Sequence, residues 1–147
     1  MPINYVTLDL ALSTHEKTVA ISGGGSLGHL DTGKLDAVLT HIQNDDYYPT
    51  FADKLTHLFF CACKFHCFVD GNKRIAIVLS LQMLLLNGYL ACATTFLRDT
   101  ENISYYVAAG RIDKELLQDF LQALLDGKSD DEALKLRIWH AIAESEA

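Results

Sequence analysis

From Asp31 onward the apolar residues fall at helical spacing. Leu35, Val38, Leu39 and Ile42 stand at positions i, i+3, i+4 and i+7, one face of a helix, before residues 44–49 break the chain. Thr50 with Asp53 three residues on forms a capped start, and Phe51, Leu55, Leu58, Phe59 and Ala62 make the stripe of a second helix running close to Phe65. Residues 71–86 are apolar nearly all round, with Asp70 as the cap and Asn87-Gly88 as a left-handed stop. Such a helix belongs in the middle of a bundle.

Beyond it, residues 89–99 show no clear period and are expected to be irregular, followed by a helix over about 101–109. A further helix over 113–125 carries Leu116, Leu117, Phe120, Leu121 and Leu124 on its apolar side and ends at Gly127. Ser129 and Glu132 read as a second capping box opening a last helix over about 129–145. Leu134, Ile138, Ala141 and Ile142 share one of its faces, with Trp139 beside them, a stripe that suits core packing better than a docking surface. The N-terminal third is less regular: residues 18–21 suggest a short extended piece, and 22–28, with four glycines, a flexible flap. The pattern as a whole predicts an all-α helical bundle with one short extended flap, and 147 residues suit a single domain spanning 1–147.

Charge and cysteine usage narrow the classes. A formal net charge of −7 argues against a broad basic face for nucleic acid. The run from Ile75 to Leu86 is interrupted by Ser80 and Gln82 and falls far short of the ~20 residues that cross a bilayer, so a buried helix is expected rather than a membrane anchor. Residues 1–12 carry Asn4 and Asp9 and lack the basic start and apolar run of a signal peptide, which predicts a cytoplasmic protein. Cys61, Cys63 and Cys67 crowd into seven positions, an awkward disulfide framework that, with Cys92, fits reduced and partly buried thiols.

Candidate chemistry concentrates between the two most apolar helices, in His66-Cys67-Phe68-Val69-Asp70-Gly71-Asn72-Lys73-Arg74. The first turn of a helix presents unpaired N–H groups and a positive dipole end, Gly71 lets a ligand approach the backbone, and Lys73 and Arg74 add two cations, which together suit an anion. Asp70 supplies a hard oxygen ligand beside that anion, the setting in which Mg²⁺ bridges a carboxylate and phosphates. His66, at the end of the preceding helix, is within loop reach of the same place and suits a proton acceptor. The plain structural alternative is a satisfied core histidine, a helix cap at Asp70 and a solvated Lys-Arg pair.

The run HCFVDGNKR resembles the signature of the Fic/Doc superfamily, H-x-F-x-D/E-G-N-G/K-R, and all nine positions match. Gly28-His29-Leu30-Asp31 is similar to the flap segment of Doc-like proteins, and Leu86-Asn87-Gly88-Tyr89 to the end of their central helix, so the likeness extends over roughly residues 24–125. The resemblance implies His66 as general base, Asp70 as the Mg²⁺ carboxylate, Gly71, Asn72, Lys73 and Arg74 as contacts to the phosphates of ATP, and Arg74 as part of the catalytic set. It also implies a flap of Gly24, Gly25, Ser26, Leu27, Gly28, His29 and Leu30 that holds the target by backbone pairing.

Two departures point to the Doc, or death-on-curing, branch: Lys73 stands where Fic adenylyltransferases usually have Gly, and Ile77 where they have a second Arg. That branch implies a toxin that transfers the γ-phosphate of ATP to a protein hydroxyl, with elongation factor Tu as the known target class. The missing guanidinium removes a grip on the distal phosphates of ATP bound in the Fic sense, which suits the reversed pose. Transfer of AMP is the alternative, as is another phosphate-bearing group such as uridylyl or phosphocholine. An inactive Fic-fold binding or sensor protein is an alternative of a different class, favoured by Cys67 in place of the proline common there. No S/T-x-x-x-E-G/N inhibitory motif occurs in the chain, and the resemblance then implies control by a separate antitoxin.

Other motifs fail on context. Residues 23–28 fit G-x-G-x-x-G, but the chain after Ile42 leads through a turn into another helix instead of the second strand of a dinucleotide fold. Residues 28–34 fit G-x-x-x-x-G-K, but Leu35 follows where a P-loop needs a hydroxyl. Cys61, Cys63, His66 and Cys67 lack the paired C-x-x-C of a zinc site, and on a helix Cys61 and Cys63 point to different faces.

Overall fold

The computed structural model describes residues 3–21, 32–64 and 72–146, with the side chains at 15, 18–21, 32, 72–75 and 144–146 left aside. Seven α-helices and no strand occur among the described residues: α1 (Leu8–Ile21), α2 (Thr32–His41), α3 (Phe51–Lys64), α4 (Asn72–Leu86), α5 (Leu90–Ala108), α6 (Lys114–Leu125) and α7 (Glu132–Glu146). The described part of the chain is therefore all-α. The short extended flap expected near the N-terminus falls on residues outside the described ones.

Helix α3 is the packing centre and touches α2, α4, α5 and α6; α4 lies against α3, α5 and α1. The expected stripes are where burial occurs: Leu35, Val38, Leu39 and Ile42 from the α2 region, Leu55, Leu58, Phe59 and Ala62 from α3, and Leu116, Leu117, Phe120, Leu121 and Leu124 from α6. Helix α3 opens on the expected capping box, Asp53 N–H donating to Thr50 Oγ1 and Thr50 N–H to Asp53 Oδ2, each at 3.1 Å. Helix α4 ends at Gly88, whose φ of +84° is the left-handed conformation that a side chain would strain.

Four expectations are corrected. Residues 18–21 are not extended but complete α1, which Thr7 starts by accepting the Leu10 N–H on Oγ1 at 3.1 Å. A capped helix already under way propagates through a few β-branched residues more easily than a lone strand forms, because each added residue gains a hydrogen bond without a new nucleus. Residues 89–99 are not irregular: one 19-residue helix, α5, replaces the expected loop and short helix. Its buried stripe is Phe96, Thr100, Ile103, Ser104 and Val107, and the period is hidden over 89–99 because Phe96 stands alone there and Thr100 follows it. Thr100 Oγ1 donates to Phe96 O at 2.6 Å and Ser104 Oγ to Glu101 O at 2.8 Å, so both hydroxyls enter the core already satisfied.

The start of α7 is capped by Asp131, whose Oδ2 accepts the Leu134 N–H at 3.0 Å; Ser129 lies in the turn before it. Of three adjacent capping residues, Ser129-Asp130-Asp131, the one beside the helix supplies the cap, and its carboxylate also meets the positive dipole end. Finally, α7 rests mainly on α6 among the described helices, burying Leu134, half-burying Ile138, Ala141 and Ile142, and leaving Trp139 61% exposed. Trp139 is thus a surface residue and not core.

Residues 3–7 strap the chain across the end of α4. Asn4 N–H donates to Asn87 Oδ1 at 2.8 Å, Asn4 Nδ2 to Leu86 O at 3.0 Å, and Asn87 Nδ2 to Asn4 O at 2.8 Å. The clasp satisfies the Leu86 carbonyl, which the last turn of a helix otherwise leaves to water. Val6 is buried behind it. Lys54 is fully buried nearby, donating to Ile42 O at 2.8 Å and to Asp45 Oδ1 at 2.7 Å, with the Tyr5 ring 5.6 Å from its Nζ. Burial opposes its charge, but the Asp45 and Tyr5 contacts outweigh it and hold the ammonium above its ordinary pKa.

Candidate active site

The candidate chemistry sits at one end of the bundle. Helix α3 stops at Lys64 and α4 begins at Asn72, so residues 65–71 join them. His66, Asp70 and Gly71 lie outside the described residues, as do the flap residues Gly24, Gly25, Ser26, Leu27, Gly28, His29 and Leu30. Asn72, Lys73 and Arg74 form the first turn of α4. The N–H groups of such a turn have no partner within the helix, so three of the expected phosphate contacts begin at a dipole end of the required sign.

Neighbouring helices fix which segments meet at this end. The Phe51 ring stacks on Tyr89 at 4.8 Å, placing the start of α3 beside the finish of α4, so the two helices run antiparallel and Lys64 and Asn72 lie together. Asn4 meets Asn87 while Thr14 Oγ1 accepts from Gln82 Nε2 at 2.9 Å, so the chain advancing along α1 meets successively earlier residues of α4. Ile21, the residue that leads into the flap, is therefore carried toward the Asn72 end. Helix α5 finishes there too: Lys64 Nζ stands 3.4 Å from where a Cβ on Gly110 would be, and Gly110 has a φ of +80°.

Helix α4 is held rigidly behind this end. Ala76, Leu79, Met83 and Leu84 are fully buried, and Ile77 is half-buried against the same core. Position 77, one turn beyond the motif, thus packs as a hydrophobe.

A second polar group, which sequence reasoning missed, lies midway along α3. His57 is 8% exposed. Its Nδ1 is 2.9 Å from Lys114 Nζ, its Nε2 is 3.4 Å from the Tyr48 hydroxyl, and Cys61 Sγ lies 3.6 Å from both ring nitrogens. Burial first, then the nearby Lys114 and His41, pull the His57 pKa down to about 4, so the ring is neutral at pH 7. Nδ1 then accepts from the Lys114 ammonium and the ring hydrogen is assigned to Nε2. No local pattern signals this cluster, because Lys114 is 57 positions from His57 in the chain.

Cys61 and Cys63 are both buried although they point to different faces, because α3 is enclosed on nearly every side; Cys92 is half-buried. Among the described residues no group of three His, Cys, Asp or Glu side chains is placed to hold a metal ion, and no helix is long and apolar enough to cross a membrane. An open cleft of about 460 Å³ exists at the opposite end of the bundle, lined in part by Tyr89, Cys92, Arg98, Ser129 and Asp130. It shares no residue with the motif end.

A search of curated proteins found no match to the chain. A family model described as the Fic/DOC family matches residues 5–84, more than half of the chain, and takes in α1 to α3, most of α4 and the whole 66–74 run. The match begins earlier than the flap and ends before Leu86-Asn87-Gly88-Tyr89, so α5 to α7 fall outside it. The matched stretch covers both helices that flank the motif, and on that ground the chain belongs to the Fic/Doc family, whose members generally transfer nucleotide moieties to proteins.

Proposed function

We propose that this chain is a Doc-like toxin, a kinase that transfers the γ-phosphate of ATP to a hydroxyl of a protein in the translation machinery, such as elongation factor Tu. The observation that carries the reading is position 77. A half-buried isoleucine on the first turns of α4 occupies the place of the second arginine of Fic adenylyltransferases, and Lys73 replaces their glycine. Without that guanidinium the distal phosphates lose a bidentate grip, which favours ATP seated with its γ-phosphate toward the base.

In this reading His66 takes the proton of the target hydroxyl while its oxygen bonds to Pγ. The bond from Pγ to the β–γ bridging oxygen breaks, and ADP leaves. The α4 amides at Asn72, Lys73 and Arg74, with the Lys73 and Arg74 cations, hold the phosphates and the charge that develops on them. One hard carboxylate, Asp70, next to a phosphate-binding helix end is a donor set that suits Mg²⁺, which when bound supplies charge neutralisation to the phosphate oxygens. Residues 24–30 hold the target segment. The protein works in the cytoplasm and a separate antitoxin controls it.

The test is incubation of the purified chain and Mg²⁺ with elongation factor Tu and with a cell lysate, using ATP labelled separately at the γ- and α-phosphates and a His66→Ala variant as control. Label passing from the γ position only, and lost in the variant, is the expected result. Label from the α position would make the chain an adenylyltransferase, and absence of any His66-dependent label would overturn enzymatic transfer from ATP. Expression of the chain alone is expected to slow growth.

A further inference from the structure

The His57 cluster lies outside the motif and has no part in the proposed transfer. Four parts of the chain contribute to it: His41 from the end of α2, with its ring 6.1 Å from that of His57; Tyr48 from the following turn, ring to ring at 4.5 Å; Cys61 from α3 itself; and Lys114 from the first position of α6. Lys114 Nζ also stands 5.6 Å from the centre of the Tyr48 ring and 5.9 Å from that of Phe60, so its ammonium is held between two aromatic faces and one imidazole nitrogen. Lys114 and His41, both cationic when protonated, are the charges that disfavour protonation of His57, and Tyr48 and Cys61 are the other titratable groups against its ring.

The arrangement is stable in one protonation state only. A neutral imidazole accepts from Lys114. A protonated one has no acceptor at Nδ1 and presents a positive charge 2.9 Å from another, with the ring itself largely removed from water. Among the described residues no carboxylate facing the ring offsets it: Asp53, on the same helix, is engaged by Thr50 and by the Gln118 amide, and Asp113 caps α6 through the Leu116 N–H.

We propose that His57 and Lys114 form an acid-sensitive latch between α3 and α6, closed while His57 is neutral and opened locally when it takes a proton. The latch fastens the helix that leads directly into the motif, and it operates whichever group the site transfers. The direction follows from linkage. The unfolded or opened chain protonates His57 near its ordinary value of 6.5 and the closed form only near 4. The closed state therefore has its full advantage above about pH 6.5 and loses it progressively as pH falls toward 4, by roughly two orders of magnitude in the closed-to-open ratio.

The experiment follows the histidine ring signals of the full chain by NMR together with amide exchange between pH 7.5 and 4. The expected result is that the His57 ring titrates well below 6.5. Amides at the start of α6 and around His57 should lose protection in the same range, before the amides of α4, once the intrinsic pH dependence of exchange is removed. His57→Gln should abolish that local step, and Lys114→Met should move the ring titration toward its ordinary value and shrink the step. A His57 ring titrating near 6.5 in the folded chain would overturn the latch. So would α6 amides that open only together with α4, a result read from the unaltered protein even where a variant does not fold.

Discussion

Helices α3 and α7 are 14 and 15 residues long, and each opens on an oxygen side chain that accepts a backbone N–H from its first turn. They nevertheless end in opposite environments. Helix α3 is packed against α2, α4, α5 and α6 and buries even Lys54, Thr56 and His57, whereas α7 rests mainly on α6 and leaves Leu136 and Trp139 in solvent. A helix is buried by what surrounds it, and its own composition only limits the cost. Lys54 tolerates complete burial because a carbonyl and a carboxylate meet its ammonium; Trp139 stays outside because α7 packs mainly on α6 and Leu134 and Ile138 already face the core there.

The contrast has a definite order of effects. Phe59→Ala, which empties a fully buried site edge-on to Phe96, is expected to cost about 3–5 kcal/mol in urea unfolding; a cost under about 1 kcal/mol would mean that α3 is not the packing centre. Lys54→Met should cost about 1–3 kcal/mol by the same measurement, since it strands the Ile42 carbonyl, and its effect should persist in high salt because the pair is buried at the lysine end. At the start of α7, Asp131→Ala should lower stability by about 1 kcal/mol while Ser129→Ala changes it by less than about 0.5 kcal/mol. The reverse order would restore Ser129 as the cap. Smallest of all, Trp139→Ala should leave the thermal midpoint almost unmoved, within about 0.5 kcal/mol. Its fluorescence in the parent chain should show the red-shifted emission of an exposed indole.

The same contrast marks what was legible in the sequence. Stripes made of aliphatic residues, as in α2, α3 and α6, declared their helices, and the Thr50–Asp53 box and Gly88 declared an end each, because those signals are local and their chemistry has one reading. The first half of α5 was missed because Phe96 is its one buried apolar residue and the next member of the stripe is Thr100, whose hydroxyl bonds back to its own helix and so behaves as an apolar group while looking like a polar one. The 66–74 run was legible as chemistry because nine consecutive residues of fixed type are a local signal, and the match over residues 5–84 has the same origin. Lys54 with Asp45, and His57 with Lys114, were beyond reach: each side chain is ordinary in its own segment, and only the packing of separate elements supplies the partner that makes it informative.

The Asn4–Asn87 clasp joins residues 83 positions apart. During synthesis, Asn4 is added to the chain roughly 4 to 17 seconds before Asn87, at about 5–20 residues per second. Through that interval the first helix has no α4 to lie against and the strap has nothing to fasten. The clasp can therefore close only once α4 has been made, and the helix that carries Asn72 to Arg74 at one end is locked into place from the other.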